Sequence, residues 1–218
     1  LPQPRKVVDP SKAAGSVRTD NYDLAAVAYK YYDQGLNYQK AGMSPVMLAF
    51  RNRGTAQPTL PVKDMRGAGS EGEFLAYTPD EAIRLVLASE TFKQTASDAA
   101  GRGLLGAGLG AALGGLVGVL TGKSENIWKG AAIGGAIGGA AGAGTALYEA
   151  EKDLKKAVER EIVEYAWDGQ PAPPSYTKVG YVYFPAKMGI DTVTVAVRDG
   201  DKVNYHQLPV MDLEEIKK

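Results

Sequence analysis

The side chains that most often carry out chemistry in proteins form no recognisable catalytic pattern in this sequence. The chain has no cysteine and a single histidine, His206. Without cysteine there are no disulfides, thiol nucleophiles or thiolate metal ligands. His206 lies in a predicted strand on the same side as Asn204, and packing or surface exposure is the expected role. No nucleophile, base and orienting acid can be assembled, so the sequence predicts no enzyme.

Acidic and tyrosine side chains are more numerous, but their spacing does not indicate a ligand site. The carboxylates of one predicted helix form two groups, Glu149, Glu151 and Asp153, and Glu159, Glu161 and Glu164. Lysine and arginine are interleaved with them, which is typical of a helix face in water rather than of a metal site. Four tyrosines lie close together in the chain, Tyr29, Tyr31, Tyr32 and Tyr38. Strand packing explains them, with a carbohydrate or partner surface as the alternative. We expect no metal and no cofactor.

Two glycine motifs resemble nucleotide-binding loops, but neither has the required context. Residues 101–106 (GRGLLG) match G-x-G-x-x-G, yet the preceding residues 95–100 do not predict a strand. Gly122, Lys123 and Ser124 resemble the end of a P-loop, but Val117 stands where its first glycine is required. The 25 basic residues equal the 25 acidic ones, so long polyanions gain no net attraction. We therefore expect no nucleotide cofactor and no nucleic-acid partner.

The strongest pattern in the chain is glycine at every fourth position in two uncharged spans. The first span, residues 103–122, carries Gly106, Gly110, Gly114, Gly118 and Gly122. The second span, residues 130–148, carries Gly130, Gly134, Gly138 and Gly142, with Gly135 and Gly139 as a second register. Each span would be roughly 30 Å long as a helix, about the thickness of the hydrocarbon core of a bilayer.

Glycine is costly in a water-exposed helix but useful in a membrane helix. Each glycine costs roughly 1 kcal/mol relative to alanine in water, whereas in lipid it lets two helix backbones approach closely. The leucines of the first span, Leu109 among them, fall on other sides of that helix and could face lipid or a neighbour. Trp128 in the polar tip and Tyr148 at the end of the second span are placed to lie at the membrane interface. These features predict a transmembrane helical hairpin.

The hairpin resembles the glycine-zipper segments of bacterial outer-membrane and envelope proteins, many of which are lipoproteins. The resemblance implies a location in the bacterial cell envelope, with the outer membrane as the expected site. A lipid-carrying cysteine just before Leu1 would suit such a protein. Residues 42–54 (GMSPVMLAFRNRG) and 180–185 (GYVYFP) further resemble segments of immunoglobulin-like domains in bacterial surface lipoproteins.

Two groups of short alternating segments on either side of the hairpin predict a β-sandwich. The expected strands lie around residues 24–31, 46–51, 59–65, 74–77, 181–184, 192–198 and 203–208. Neither group alone covers its apolar face, so both halves are expected to form one sandwich. The predicted fold class is therefore α+β, a β-sandwich of about seven strands interrupted by a long glycine-zipper transmembrane helical hairpin.

Helix signals complete the predicted organisation. Thr78, Pro79 and Glu81 form a capping-box start signal, and the helix after the hairpin is amphipathic up to about Trp167. The expected division is an extended arm (1–20), a first half-sandwich (21–77), a helical connector (78–102), the hairpin (103–148), a stalk helix (149–168), a second half-sandwich (169–210) and a tail (211–218).

These features predict a non-enzymatic structural membrane protein. Copies would self-associate through their hairpins into a ring or collar in the outer membrane, scaffolding an envelope assembly or enclosing a passage. The partners are then the protein itself, the lipid bilayer and other envelope proteins. One alternative is a membrane-anchored binding module whose sandwich loops hold a protein or glycan. A second alternative is a membrane-active toxin.

Overall fold

The computed structural model describes residues 9–31, 36–101, 109 and 147–212. The predicted hairpin, residues 103–148, lies outside this description except for Leu109, Leu147 and Tyr148. In the described parts of the chain, no helix combines the length and the apolar character needed to cross a membrane.

The described residues form eight strands and three α-helices. The strands are β1 (Val17–Arg18), β2 (Tyr22–Ala28), β3 (Met43–Asn52), β4 (Arg66–Gly69), β5 (Gly72–Leu75), β6 (Thr177–Pro185), β7 (Thr192–Asp199) and β8 (Lys202–Met211). The helices are α1 (Pro79–Ala88), α2 (Glu90–Gly101) and α3 (Leu147–Tyr165). Short 3-10 helices span Pro10–Lys12, Tyr38–Ala41, Val62–Asp64 and Ala186–Met188.

The strands on both sides of the helical region pair with one another in a single sheet. Its order is β5-β4-β7-β8-β2-β3-β6, with β1 beside β2. The β-rich α+β class and the association of the two halves are therefore confirmed. The two separate sheets of a sandwich are not observed, because β8 joins both parts. It runs antiparallel to β7 over most of its length, and then Val210 and Met211 pair parallel with β2.

The sheet bends into a half-barrel that buries one apolar cluster inside the bend. This inner cluster contains Leu24, Leu48 and Phe50 from β2 and β3 together with Val193 and Val195 from β7, all fully buried. The side chains at the intervening positions of β2, β3 and β6 point to the opposite face of the sheet. They face the helices and form a second, helix-side cluster. The alternating segments were expected to be half-buried strands. β2 is instead buried on both faces, because helices cover the face that a sandwich exposes.

One predicted strand is wrong, and its failure has a local cause. Residues 59–65 form a bridge between Thr59 and Arg198 followed by the 3-10 helix Val62–Asp64. Pro58 and Pro61 lack the N–H groups that a strand would contribute to a ladder.

The start of the helical region confirms the predicted capping box. Thr78 Oγ1 accepts from Glu81 N at 3.3 Å, and Glu81 Oε2 accepts from Thr78 N at 2.8 Å. The helix ends at Ala88, and α2 begins directly after Ser89, whose Oγ accepts from Phe92 N at 3.2 Å. The predicted helical connector therefore consists of two helices, α1 and α2, which are separated at Ser89.

The helix expected as a stalk packs on the sheet. Leu154, Ala157, Val158 and Ile162 of α3 are buried in the helix-side cluster. The helix ends at Tyr165 rather than near Trp167, because Trp167 N donates to Tyr181 O of β6 at 2.8 Å. This crossing is close: a Cβ on Gly180 would lie 2.9 Å from Trp167 Cα. The glycine in the middle of β6 therefore allows the chain to cross the strand.

Candidate functional site

The site is built around Glu161, a carboxylate that the fold buries almost completely. Its exposed fraction is 1%, although it lies on a helix rich in exposed charges. Glu161 follows Leu154 by seven residues and Val158 by three, which places it on the buried face of α3. We call Glu161, Tyr38 and Leu109, with the surrounding tyrosines Tyr29 and Tyr183, the Glu161 site.

Tyr38 reaches this carboxylate from the 3-10 helix Tyr38–Ala41. Asn37 caps that helix by accepting from Gln39 N at 3.2 Å, and Gly42 ends it in the left-handed conformation. The ring of Tyr38 is fully buried and lies 5.7 Å from the ring of Phe92 on α2. The phenol is thereby held by elements on both sides, so its hydroxyl has a defined direction.

Both carboxylate oxygens of Glu161 accept hydrogen bonds from buried donors. Oε2 accepts from the Tyr38 hydroxyl. Oε1 accepts from the backbone N–H of Leu109 at 3.0 Å, and the Leu109 side chain is fully buried in the helix-side cluster. An ionised carboxylate is costly to bury unless its oxygens are bonded, and these two donors reduce that cost.

The neighbouring tyrosines donate to backbone carbonyls. Tyr183 donates to Ile162 O of α3 at 2.8 Å, and Tyr29 donates to Leu36 O at 3.2 Å. These bonds fix α3 and the chain before Tyr38 relative to the sheet. The hydroxyls around the site therefore serve to position elements of the fold.

Burial and the negative charge of Glu161 keep these tyrosines neutral. Burial raises the pKa of Tyr38 and Tyr183 well above its ordinary value, and repulsion from Glu161 raises each pKa further. The pKa of Tyr29 is raised by the same two causes. Neutral phenols remain hydrogen-bond donors at physiological pH. Tyr38 is the phenol of this group that donates to Glu161, and the other carboxylate oxygen accepts the backbone N–H of Leu109.

Most residues predicted to act in membrane packing lie outside the described residues. These are the eleven zipper glycines, from Gly106 to Gly142, and Trp128. Tyr148 is the second residue of α3. Across the described residues, no group of three or more His, Asp or Glu side chains could hold a metal ion.

His206 has a packing contact with another ring. The hydroxyl of Tyr22 lies 2.7 Å from His206 Nε2, with the rings edge to face. Burial lowers the pKa of His206. The position agrees with the expected packing role.

The interpretation of Glu161 as part of a solvated face is wrong. Glu164 on the same helix is exposed and fits that interpretation, whereas Glu161 is buried. Its spacing from Leu154 and Val158 is the signal that could have identified it, because those two positions define the apolar face. The interleaved basic residues concealed this signal.

Comparisons of the chain with protein-family models, with curated proteins and with solved structures find no match.

Proposed function

We propose that the protein is a non-enzymatic structural membrane protein whose glycine-zipper hairpin self-associates in the bacterial envelope, with the outer membrane as the expected location. The β-rich half-barrel and its helices form the module that carries this hairpin. The repeated glycines supply the contact surface, since small residues let helix backbones pack closely in lipid.

The observation that carries the proposal is the position of the two helices that flank the glycine-rich segment. The helix before it, α2, ends at Gly101, and the helix after it, α3, begins at Leu147. These two helices contact each other, and both pack in the helix-side cluster. A segment that leaves and re-enters one module in this way is connected as a hairpin requires, since two antiparallel spans begin and end on the same side of a membrane.

Self-association follows from how little side-chain surface the spans possess. The residues from Gly130 to Gly142 are glycine, alanine and isoleucine only. Such a span gains little from contact with lipid but can pack closely against another helix. Several hairpins side by side would place their modules in a ring or collar on one side of the bilayer.

Cross-linking in bacterial membranes tests the proposal. The full chain should give a ladder of cross-linked bands, and Gly114→Leu and Gly118→Leu should abolish the ladder because their side chains separate the backbones. Val117→Leu lies in the same span and serves as the control, which should retain the ladder. A folded wild-type protein that stays monomeric after detergent extraction and gives no ladder would contradict self-association.

A further inference from the structure

The strand β5 lies at one end of the sheet and has an open edge. It pairs with β4 on one side, and among the described residues no strand lies on its other side. Gly72, Glu73 and Leu75 are exposed, and the exposed fraction of Leu75 is 63%. Two residues later Tyr77 N donates to Tyr183 O of β6 at 2.8 Å, so the open edge ends just after Leu75. An unpaired strand edge is a template for pairing with another chain.

The pairing of β4 with its neighbours determines which backbone groups this edge presents. Ala68 of β4 is the partner of Glu73, but its carbonyl accepts from Asp191 N on the β7 side at 3.0 Å. The backbone groups of Ala68 and Glu73 therefore point away from each other. Directions alternate along a strand, so Leu75 points the same way as Glu73. The open edge thus presents the N–H and C=O groups of both residues.

The order of the side chains makes this edge complementary to itself. When two copies of β5 are placed antiparallel with Phe74 opposite Phe74, each Glu73 lies opposite Leu75 of the other copy. The outward-pointing groups of Glu73 and Leu75 then bond to each other. The two Phe74 side chains take the closely spaced position of the ladder, where cross-strand pairs contact best. No like charges lie opposite each other in this register.

A pair of opposite charges extends the complementarity. Arg66 of β4 lies beside Leu75 in the ladder, so in the same register Glu73 of the second copy comes next in that row. Both charged side chains are exposed, and neither forms an ion pair with a described residue. Each copy supplies one cation and one anion. A two-fold arrangement therefore forms the Arg66–Glu73 pair twice.

We propose that β5 is a docking edge for a second copy of this chain, which adds its own β5 antiparallel and continues the sheet from one module into the next. The contact is separate from the glycine-rich spans, and the described residues alone carry it. The strand has only four residues, so the contact is weak by itself. In the envelope assembly it would join modules already held close together, and this setting alone rests on the proposed function.

Disulfide trapping of the purified full chain in detergent tests the contact, because the chain contains no cysteine. Two Phe74→Cys chains would bring their Cα atoms to about 4.5 Å, which a disulfide can bridge. Mild oxidation should therefore give a covalent dimer. Ser70→Cys, in the turn of the same hairpin, is the control. Its thiols would lie roughly 25 Å apart and should give about 10-fold less dimer.

A mixture of two variants tests the register. The Cα atoms of two Glu73→Cys chains, or of two Leu75→Cys chains, would lie roughly 8 Å apart, which is too far for a disulfide. In a mixture the two positions face each other at about 5.5 Å, so the dimer should contain one chain of each kind. This mixture also decides the matter if Phe74→Cys does not fold. Equal dimer yields from Phe74→Cys and Ser70→Cys, or from the mixture and either variant alone, would overturn the proposal.

Leu75→Pro tests the backbone hydrogen bonds without removing one inside the module. The N–H that it deletes points away from β4, a position where an edge strand accepts proline. Each dimer loses two hydrogen bonds, so Leu75→Pro added to Phe74→Cys should lower the dimer yield about 10- to 100-fold. Circular dichroism checks that the fold is retained. An unchanged yield in the folded variant would contradict strand pairing.

Comparison with cross-linking in bacterial membranes separates this contact from the proposed self-association. If the wild-type chain gives a ladder but Phe74→Cys and the mixture give no disulfide dimer, the docking edge is wrong and self-association through the spans stands. If the disulfide dimers form but the wild-type ladder stops at the dimer, the docking edge stands and self-association through the spans fails.

Discussion

The two faces of the central strands β2, β3 and β6 differ sharply in chemistry. The face inside the bend carries Leu48, Phe50 and Phe184, which pack against the valines of β7. The face under the helices carries Tyr181 and Tyr183 and lies against the buried carboxylate of α3. Both faces are buried, and among the described residues it is the helix-side face that carries tyrosine hydroxyls close to a buried carboxylate.

This difference indicates that the two faces have different roles. An apolar cluster is stabilised by burial of surface and by close packing, which need no exact partner for any one atom. A buried polar cluster is stable only if each donor and acceptor is matched, so it specifies position more strictly. The inner cluster accordingly stabilises the half-barrel, whereas the helix-side cluster determines how the helices and Leu109 are seated.

The largest loss of stability should come from removing a large side chain from the inner cluster. Phe50 is fully buried there, and Phe50→Ala should lower the free energy of unfolding by about 3 to 5 kcal/mol through lost burial and an unfilled cavity. Urea denaturation followed by circular dichroism measures this change. Tyr176→Ala, at a site 56% exposed, is the control and should change stability little. Equal effects of the two variants would remove the basis for assigning stability to the inner face.

A smaller loss is expected where α3 leaves the helix-side face and crosses β6. Gly180→Ala would place a Cβ 2.9 Å from the backbone of Trp167, so we expect a cost of about 1 to 3 kcal/mol. At Gly54 the corresponding Cβ would approach the side chain of Asn21 at 3.2 Å, which can move. Thermal unfolding should therefore show a clearly lower Tm for Gly180→Ala than for Gly54→Ala. The reverse order would mean that the crossing is not closely packed.

The helix-side face should be the one sensitive to alkaline pH. Tyr183 keeps its proton in the folded state because its pKa is raised, whereas the unfolded chain releases that proton above pH about 10. The unfolded state then binds fewer protons, so stability falls as the pH rises above 10. At pH 11 this loss is about 1.4 kcal/mol for one tyrosine.

Lysine side chains also lose their protons in this pH range, so the contribution of Tyr183 must be separated from theirs. Two phenylalanine variants achieve this. Urea denaturation at pH 9 and pH 11 should show a loss about 1.4 kcal/mol smaller in Tyr183→Phe than in wild type. Tyr205→Phe, at a site 68% exposed, should leave the loss unchanged. If Tyr183→Phe loses as much stability between pH 9 and pH 11 as wild type does, then the pKa of the Tyr183 hydroxyl does not differ between the folded and unfolded states.

The smallest loss of stability should come from weakening the N-terminal cap of α1, which leaves the buried side chains of both faces unchanged. Thr78→Ala removes the capping box at the start of α1 and should cost about 1 kcal/mol. Hydrogen exchange should accelerate first in α1, whereas amides of β7 on the inner side should retain their wild-type rates. Thr78→Ser keeps the capping hydroxyl and serves as the control. Equal acceleration of exchange in β7 would show that α1 and the strands around the inner cluster unfold together.

Local signals in the sequence were sufficient for several elements. Thr78 and Glu81 predicted the start of α1 correctly, and the alternating segments at residues 192–198 and 203–208 predicted β7 and β8. Val193, Val195 and Val197 predicted a strand with one buried face, and the structure buries all three. The capping box of α1 lies within a few residues of its signal, so no distant part of the chain is needed to recognise it.

The sequence thus determined the β-rich α+β class, the association of the two halves and the pattern of glycines in the segment between them. Only the tertiary structure decided that β8 joins β7 to β2, that helices bury the second face of β2, and that Glu161 lies inside. The physical reason is that a side chain on an amphipathic helix acquires its environment from elements distant in sequence. Glu161 binds Tyr38 and Leu109, which are 123 and 52 residues away along the chain.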